Sequence, residues 1–271
     1  MPSNVHQDSS HAAEASESAQ VRSVVIQDPV HARMYPEYVA GGFPRDSHFV
    51  DFFSRVNALV TENSHVLDFG AGRGKFLETE HGWKLSLASL RERVGKMIGV
   101  DVDPVVLNNE MNDENYLISE SGEIPLADES VDLVFSWAVF EHINDPVRCS
   151  SELNRVLRKG GWICAWTPNK WGLVGMGARM IPNAMHAKIL KKIGVDGRKE
   201  EDVFPVVYSM NTKSALKKFF PVSEYEHYVS IRNGPPGYHG GSLTIARMMH
   251  LYGLVMPAAG RAMLHVFLRK K

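Results

Sequence analysis

The segment His65–Phe76, HVLDFGAGRGKF, is the first place where residue type and spacing define a chemistry. An apolar run ends in Asp68, and Gly70, Gly72 and Gly74 then alternate with other residues before Lys75. Glycine-rich turns between a strand and a helix let backbone approach a nucleotide closely. An ATP loop, G-x-x-x-x-G-K-[ST], fails twice here. Phe69 stands where its first glycine belongs, and Phe76 replaces the hydroxyl that would meet Mg²⁺. A dinucleotide loop, G-x-G-x-x-G, needs a third glycine where Lys75 stands, and Asp68 would face the pyrophosphate. A ligand that carries positive charge and no phosphate suits the stretch better.

The loop needs a strand before it and a helix after it. HVLDF (65–69) reads as a strand and Lys75 onward as a helix. MIGVD (97–101) is strand-like, and Asp103-Pro104 behind it supplies a cap and a first-turn proline. YLIS (116–119) is a short strand, and VDLVFSWAVF (131–140) is the continuous apolar run of a strand buried on both faces. Asp145-Pro146 opens a helix with Val147, Leu153, Val156 and Leu157 on one stripe, Lys159-Gly160-Gly161 stops it, and WICAWT (162–167) follows as a strand. Upstream, DSHFVDFFSRVNALV is a helix behind an Asp46 cap. Repeated β-α units of this length specify a parallel, doubly wound sheet, whose ligands sit at the carboxyl ends of the strands. The rhythm breaks after Asn169, with an insertion over 170–210. A helix over 212–220, strands over 224–231 and 262–270 and a helical insertion at about 242–258 follow.

With these elements placed, D-x-G-x-G-x-G at Asp68, Gly70, Gly72 and Gly74 resembles the first motif of class I S-adenosylmethionine-dependent methyltransferases. IGVDVDP resembles the second, in which the acid ending strand two holds the ribose hydroxyls; that acid is Asp101, with Val102 beside it. ESGEIPLADESVDLV resembles the adenine-contacting segment and matches Glu120 and Ser121. SWAVFEHINDP and ELNRVLRKGGWICAWTPN resemble the strand-four and strand-five motifs of bacterial, quinone-biosynthesis-like members, with Trp137 lining the cofactor site. The resemblance runs from residue 64 to 170. It implies a Rossmann-like, doubly wound, seven-stranded α/β sheet, mostly parallel with an antiparallel end pair, plus a helical cap insertion. It also implies S-adenosyl-L-methionine as cofactor, whose ammonium and sulfonium suit Asp68 and whose carboxylate can take loop N–H groups. Each residue has a plainer reading as well. The glycines could form a bare tight turn, Asp101 a helix cap, Glu120 a solvated loop acid and Trp137 core packing.

Methyl transfer to a hydroxyl benefits from a general base. His142 follows Glu141 after strand four and is the candidate, the alternative being a histidine that caps or packs the loop. Some relatives hold a divalent metal with E-x-x-E-H there, but Ala138 replaces the first glutamate, so no metal is expected. His186, Tyr208 and His239 are secondary candidates for substrate contact. The insertion holds seven Lys/Arg and one acid, Asp196, between Lys170 and Lys199, interleaved with large apolar residues. It reads either as an amphipathic lid or as a surface that meets anionic lipid, and the stretch from Ser242 to Lys271 lacks Asp and Glu altogether.

The rest of the chain narrows the field. Residues 1–22 have the composition of a disordered tail, leaving a single domain over 23–271. A formal net charge of −1 over 271 residues supplies no global attraction to nucleic acid. The two cysteines, Cys149 and Cys164, make no CxxC pair, and a reducing cytoplasm is expected, with a peripheral contact at the inner face of a membrane as a further expectation. The acceptor is expected to be a small-molecule or lipid-linked hydroxyl, with no nucleic acid as partner. A non-catalytic methyltransferase-like binding subunit and an NAD-dependent oxidoreductase stand as rival readings.

Overall fold

The computed structural model describes residues 28–180 and 204–271, so the expected tail, His186 and most of the basic insertion lie outside the described residues. The chain divides into two compact units, Met1–Arg45 and Asp46–Lys271. In the first, α1 (Pro29–Met34) starts at Asp28, whose carboxylate accepts the Val30 and His31 N–H groups at 2.8 and 3.1 Å. A 3-10 turn over Pro36–Val39 follows, and Arg45 forks onto Glu37.

The second unit is a mixed sheet with helices on both faces. Its strands are β1 (His65–Phe69), β2 (Lys96–Asp101), β3 (Glu114–Leu117), β4 (Val131–Trp137), β5 (Leu157–Pro168), β6 (Tyr225–His227), β7 (Ser230–Arg232) and β8 (Met263–Lys270). They lie in the order β3-β2-β1-β4-β5-β8-β6, the first five parallel and β8 antiparallel to β5. The expected sixth strand, over 224–231, is two short ones: β6 and β7 both pair with β8, at its end and its beginning respectively. The seven sheet positions are therefore filled by eight strands.

Alternation along the strands builds two cores. Leu67, Val134, Ile163 and Val266 face one side, where α5 (Pro146–Val156) adds Leu153 and Val156. Val66, Leu133, Phe135, Cys164 and Phe267 face the other, where α2 (His48–Ala58) adds Phe52, Phe53 and Val56. Period-two strands with both faces covered are what a doubly wound sheet requires. His48 Nδ1 lies 2.8 Å from His265 Nε2, tying α2 to β8, and burial pushes both imidazoles down, to about 3 and about 4.

Several boundaries differ from the sequence reading, each for a local reason. The α2 cap is Ser47, whose hydroxyl accepts the Val50 N–H, and not Asp46. The helix after the glycine loop, α3 (Phe76–Thr79), is only four residues long, and α4 (Gly82–Ala88) follows it as a separate turn of chain. The residues capped by Asp103 are a 3-10 helix over Pro104–Asn108. β4 stops at Trp137 because Ala138 takes φ +58, a conformation that breaks a strand, and a 3-10 turn over Phe140–His142 follows. Helix α5 ends at Val156, before Lys159-Gly160-Gly161. Those glycines sit inside β5, where the register with β4 jumps from Leu157 opposite Val131 to Trp162 opposite Leu133. A Cβ at Gly161 would meet Asp132 O at 2.7 Å, so the bulge needs glycine there. Val147, expected on the buried stripe of α5, is exposed at the first turn. Further along are α6 (Leu173–Met180), α7 (Lys213–Phe219), capped by Thr212, and α8 (Leu243–Val255), capped by Ser242. No helix among the described residues is long and apolar enough to cross a membrane.

Candidate functional site

The parallel strands end on one edge of the sheet, and a cavity of about 1090 Å³ opens there. Asp68, Gly70, Gly72, Gly74, Asp101, Val102, Glu120, Ser121, Trp137 and His142 all lie in its wall. The sequence spreads these ten residues over 75 positions, from 68 to 142, and the strand order β3-β2-β1-β4 brings their carrier loops side by side.

The glycine loop is shaped by close approach. Gly70, Gly72 and Gly74 have φ +80, +52 and +77, values that residues with a Cβ avoid. A Cβ on Gly70 would run into the Val139 side chain and one on Gly74 into the Asn109 amide, whereas the space beyond Gly72 is open to 4.0 Å. Asn109 is buried, and its amide donates to Ala71 O and Gly72 O at 3.1 and 3.2 Å, pinning the loop. The N–H groups of Gly70 and Ala71 donate to Val100 O, that of Gly72 to Asp101 and that of Gly74 to Ala71 O. These four amides are hydrogen-bonded within the protein. Gly74→Ala is expected to destabilise the fold by about 1–3 kcal/mol, through the strained φ and the displaced Asn109. Urea unfolding measures the loss, and a change within about 0.5 kcal/mol would show that the pin is dispensable.

Two carboxylates face the loop. Asp101 ends β2, and each of its oxygens accepts one backbone N–H: Oδ2 from Gly72 at 2.9 Å and Oδ1 from Asp103 at 2.9 Å. Each oxygen keeps a lone pair for a further donor, so the carboxylate is aimed before any ligand arrives. Asp68 is different. Burial, and then the charge of Asp101, push its carboxyl up to about 8. A cation placed beside the two carboxylates would favour the charged form of Asp68.

Trp137, at the carboxyl end of β4, is half-buried and stacks on Trp166 of β5 with centroids 4.1 Å apart and planes 13° apart. Phe49, Phe52, Phe53 and Phe76 surround it. Core packing and cavity lining, posed as alternatives by the sequence, are met by one side chain. Glu120 and Ser121 are exposed at the cavity's edge, and Ser121 Oγ lies 2.8 Å from Ser119 Oγ.

His142 Nδ1 lies 2.9 Å from Pro205 O. A carbonyl can only accept, so Nδ1 carries a proton, and in the neutral form of the ring Nε2 is an acceptor. Phe204 packs edge-on against the ring at 6.0 Å. Beside it Glu141 is buried, its carboxylate accepting the Thr167 hydroxyl at 2.8 Å while Asn211 donates to that hydroxyl at 2.6 Å. The Glu141 carbonyl accepts the Val207 and Tyr208 N–H groups, which fastens the returning end of the insertion across the cavity rim. Of the secondary candidates, Tyr208 is buried with φ +57, and His239 is buried with Nδ1 accepting the Gly241 N–H.

Some wall residues gave no signal in the sequence. Glu152 is buried, accepts the Ile124 N–H and is forked by Arg155, whose guanidinium holds the carboxyl below its usual range. Arg155 also donates to Leu126 O and Ile124 O, so the pair fixes the loop carrying Glu120 and Ser121. In the sequence it is only an i,i+3 acid-base pair, common on exposed helix faces. Behind the wall, Asn109 also went unnoticed, and only the folded approach of Gly74 reveals its role.

Residues 67–165 match the family model described as a methyltransferase domain. An uncharacterised methyltransferase of Mycobacteroides abscessus is 29% identical over 136 residues, covering 46% of this chain and 49% of that protein. The malonyl-[acyl-carrier protein] O-methyltransferase of a Marinomonas species is 25% identical over 158 residues, covering 52% and 55%. The sarcosine/dimethylglycine N-methyltransferase of Halorhodospira halochloris is 32% identical over 122 residues, covering 41% and 40%. The chain thus spans about half the length of the curated relatives it matches.

Proposed function

From a chain whose residues 67–165 match a methyltransferase domain, we propose S-adenosylmethionine-dependent methyl transfer to the hydroxyl of a small-molecule or lipid-linked acceptor, with His142 as the base. The observation that carries the reading is the convergence of Asp68, Asp101 and His142 on one cavity, with Asp101 already oriented by two backbone amides. The cavity fits S-adenosyl-L-methionine in its charges and in its open approach at Gly72. That cofactor supplies, when bound, a methyl group on a positively charged sulfur.

The protein's own work is placement, charge and a proton. Asp101 would accept from the cofactor's ribose hydroxyls, and Asp68 would give up its proton to stand opposite the positive amino-acid end. Trp137 with its ring of phenylalanines keeps water from the reacting line, and His142 Nε2 takes the acceptor's hydroxyl proton. The relatives named above differ in the atom their names say they methylate, one oxygen and one nitrogen, so the acceptor is argued from this cavity alone.

Calorimetry with S-adenosylhomocysteine tests the cofactor half. Binding is expected, weakened about 10–100-fold by Asp101→Ala and less than about threefold by Glu120→Ala, since charge-assisted hydrogen bonds contribute about 1.5–3 kcal/mol and Glu120 has an exposed position. Absence of binding to the wild-type protein, with NADH bound in its place, transfers the chain to the oxidoreductases. Turnover against a panel of hydroxyl acceptors then separates an enzyme from a non-catalytic subunit.

A further inference from the structure

Helix α8 wears its apolar residues on the outside. The face that meets the protein carries Ala246, fully buried, and Gly253, whose carbonyl accepts the Asn233 amide at 2.7 Å. On a 3.6-residue repeat, Ile245, Met248, Leu251, Tyr252 and Val255 share the opposite arc. All five are exposed, with Met248 at 66%, Leu251 at 61% and Val255 at 72%, and Leu254 beside them at 69%. A surface helix in water normally shows the reverse arrangement, and a contiguous stripe of this size marks an interaction surface.

A second apolar element leaves the same edge. Asn169, at the end of β5, donates through Nδ2 to Ala259 O and Arg261 O, both at 2.8 Å, just beyond α8. The chain then continues through exposed Trp171 and Leu173 into α6, where Met176 is also exposed. The register Pro168 opposite Met263 puts both elements at the carboxyl edge of the parallel strands, the edge on which the cavity opens.

The charge beside these residues selects the partner. Arg247 lies at the border of the α8 stripe, Arg261 is exposed next to the Asn169 junction, and Lys170 sits 6.0 Å over the Trp171 ring. The stretch from Ser242 to Lys271 contains no Asp or Glu. Large apolar groups flanked by basic ones, with a tryptophan at the boundary, fit the headgroup region of a bilayer.

We propose that the edge formed by α8 and the start of α6 docks on an anionic lipid surface, with α8 lying in the interface plane. The inference stands on exposure and charge and does not rest on methyl transfer. Docking would hold the cavity mouth toward the membrane, where an acceptor's polar end is presented while its chains stay in lipid.

Co-sedimentation of the full chain with vesicles of phosphatidylcholine containing phosphatidylglycerol tests it. The wild-type protein is expected to sediment with these vesicles at low salt, to do so far less with phosphatidylcholine alone, and to be released by added salt. A variant carrying M248E, L251E and V255E together should lose at least tenfold in apparent affinity. Val222→Glu, an exposed site near the opposite edge, should lose none. Circular dichroism checks that the triple variant folds, and a variant carrying R247E and R261E tests the charge half without touching the stripe. Wild-type protein left in the supernatant, or triple and arginine variants that both bind like wild type, would overturn the proposal. A wild-type dimer that the triple variant makes monomeric in light scattering would overturn it too, since a second copy would then cover the stripe.

Discussion

Asp68→Asn is expected to make the ligand-free protein more stable and the cofactor complex weaker. The two effects have one origin. In the unfolded chain the carboxyl ionises near its ordinary value of 3.8, whereas in the fold it holds its proton up to about 8. Between those values the folded state carries the extra proton, so its stability falls as pH rises, by about 1.4 kcal/mol per pH unit at most. Above about 8 the carboxylate is charged in a buried place beside Asp101, and the full cost is present. Asparagine has the shape of the protonated acid and never ionises. Thermal melts should therefore show Asp68→Asn gaining several degrees at pH 8.5 and little at pH 4, given about 2–4 °C per kcal/mol in a chain of this size. Affinity for S-adenosylhomocysteine at pH 8.5 should drop about tenfold or more, because the amide cannot oppose the ligand's ammonium with a charge. At pH 6.5 the wild type should also release about one proton on binding, visible as a dependence of the calorimetric heat on the buffer's ionisation enthalpy. A variant less stable than wild type at pH 8.5 would show that the carboxylate supports the fold, and the cation site would lose its main argument.

His142→Ala carries the second large expectation. With an acceptor that supports wild-type turnover, kcat should fall by about 10²–10⁴-fold, the usual contribution of a positioned base. The affinity for S-adenosylhomocysteine should stay within about twofold, because the ring hydrogen-bonds Pro205 O and not the loops around Asp101. Free imidazole added to the variant should restore part of the rate, a result that a merely packed histidine would not give. Unchanged kcat would mean an acceptor that sheds its own proton, as a thiolate or an amine can, and would move the chemistry away from hydroxyl oxygen.

How much of this was legible in the sequence depends on the range of the interaction. The order of strands and helices could be read because it is written locally, in apolar runs, Asp-Pro helix starts and glycines. The ten candidate residues could be picked out because their motifs carry them along one strand-loop unit at a time, and all ten line one cavity. Distances between units could not be read. Gly74 and Asn109 are 35 positions apart in the chain, and only the fold sets one against the other. The end of β4 was missed because Ala138 is an ordinary strand-compatible residue whose φ of +58 is imposed by its surroundings, its N–H being held by Trp166 O. Lys159-Gly160-Gly161 was misplaced because glycine pairs mark bulges as readily as helix ends. The outward stripe of α8 was invisible for a different reason. Periodicity gives the arc on which apolar residues lie and not the side to which the arc is turned.

The place of β8 in the sheet has a consequence for how the chain is made. β8 follows every other strand in sequence, yet it lies between β5 and the pair β6 and β7, which join the sheet only through it. On a ribosome, β2, β3, β4 and β5 each emerge with a parallel neighbour already present. β6 and β7 then appear before β8, the strand they pair with, and apolar α8 comes out behind them. Until Met263–Lys270 clears the exit tunnel, the nascent chain carries an open edge at β5, two unpaired strands and an uncovered helix. In that interval a holding chaperone would meet all three.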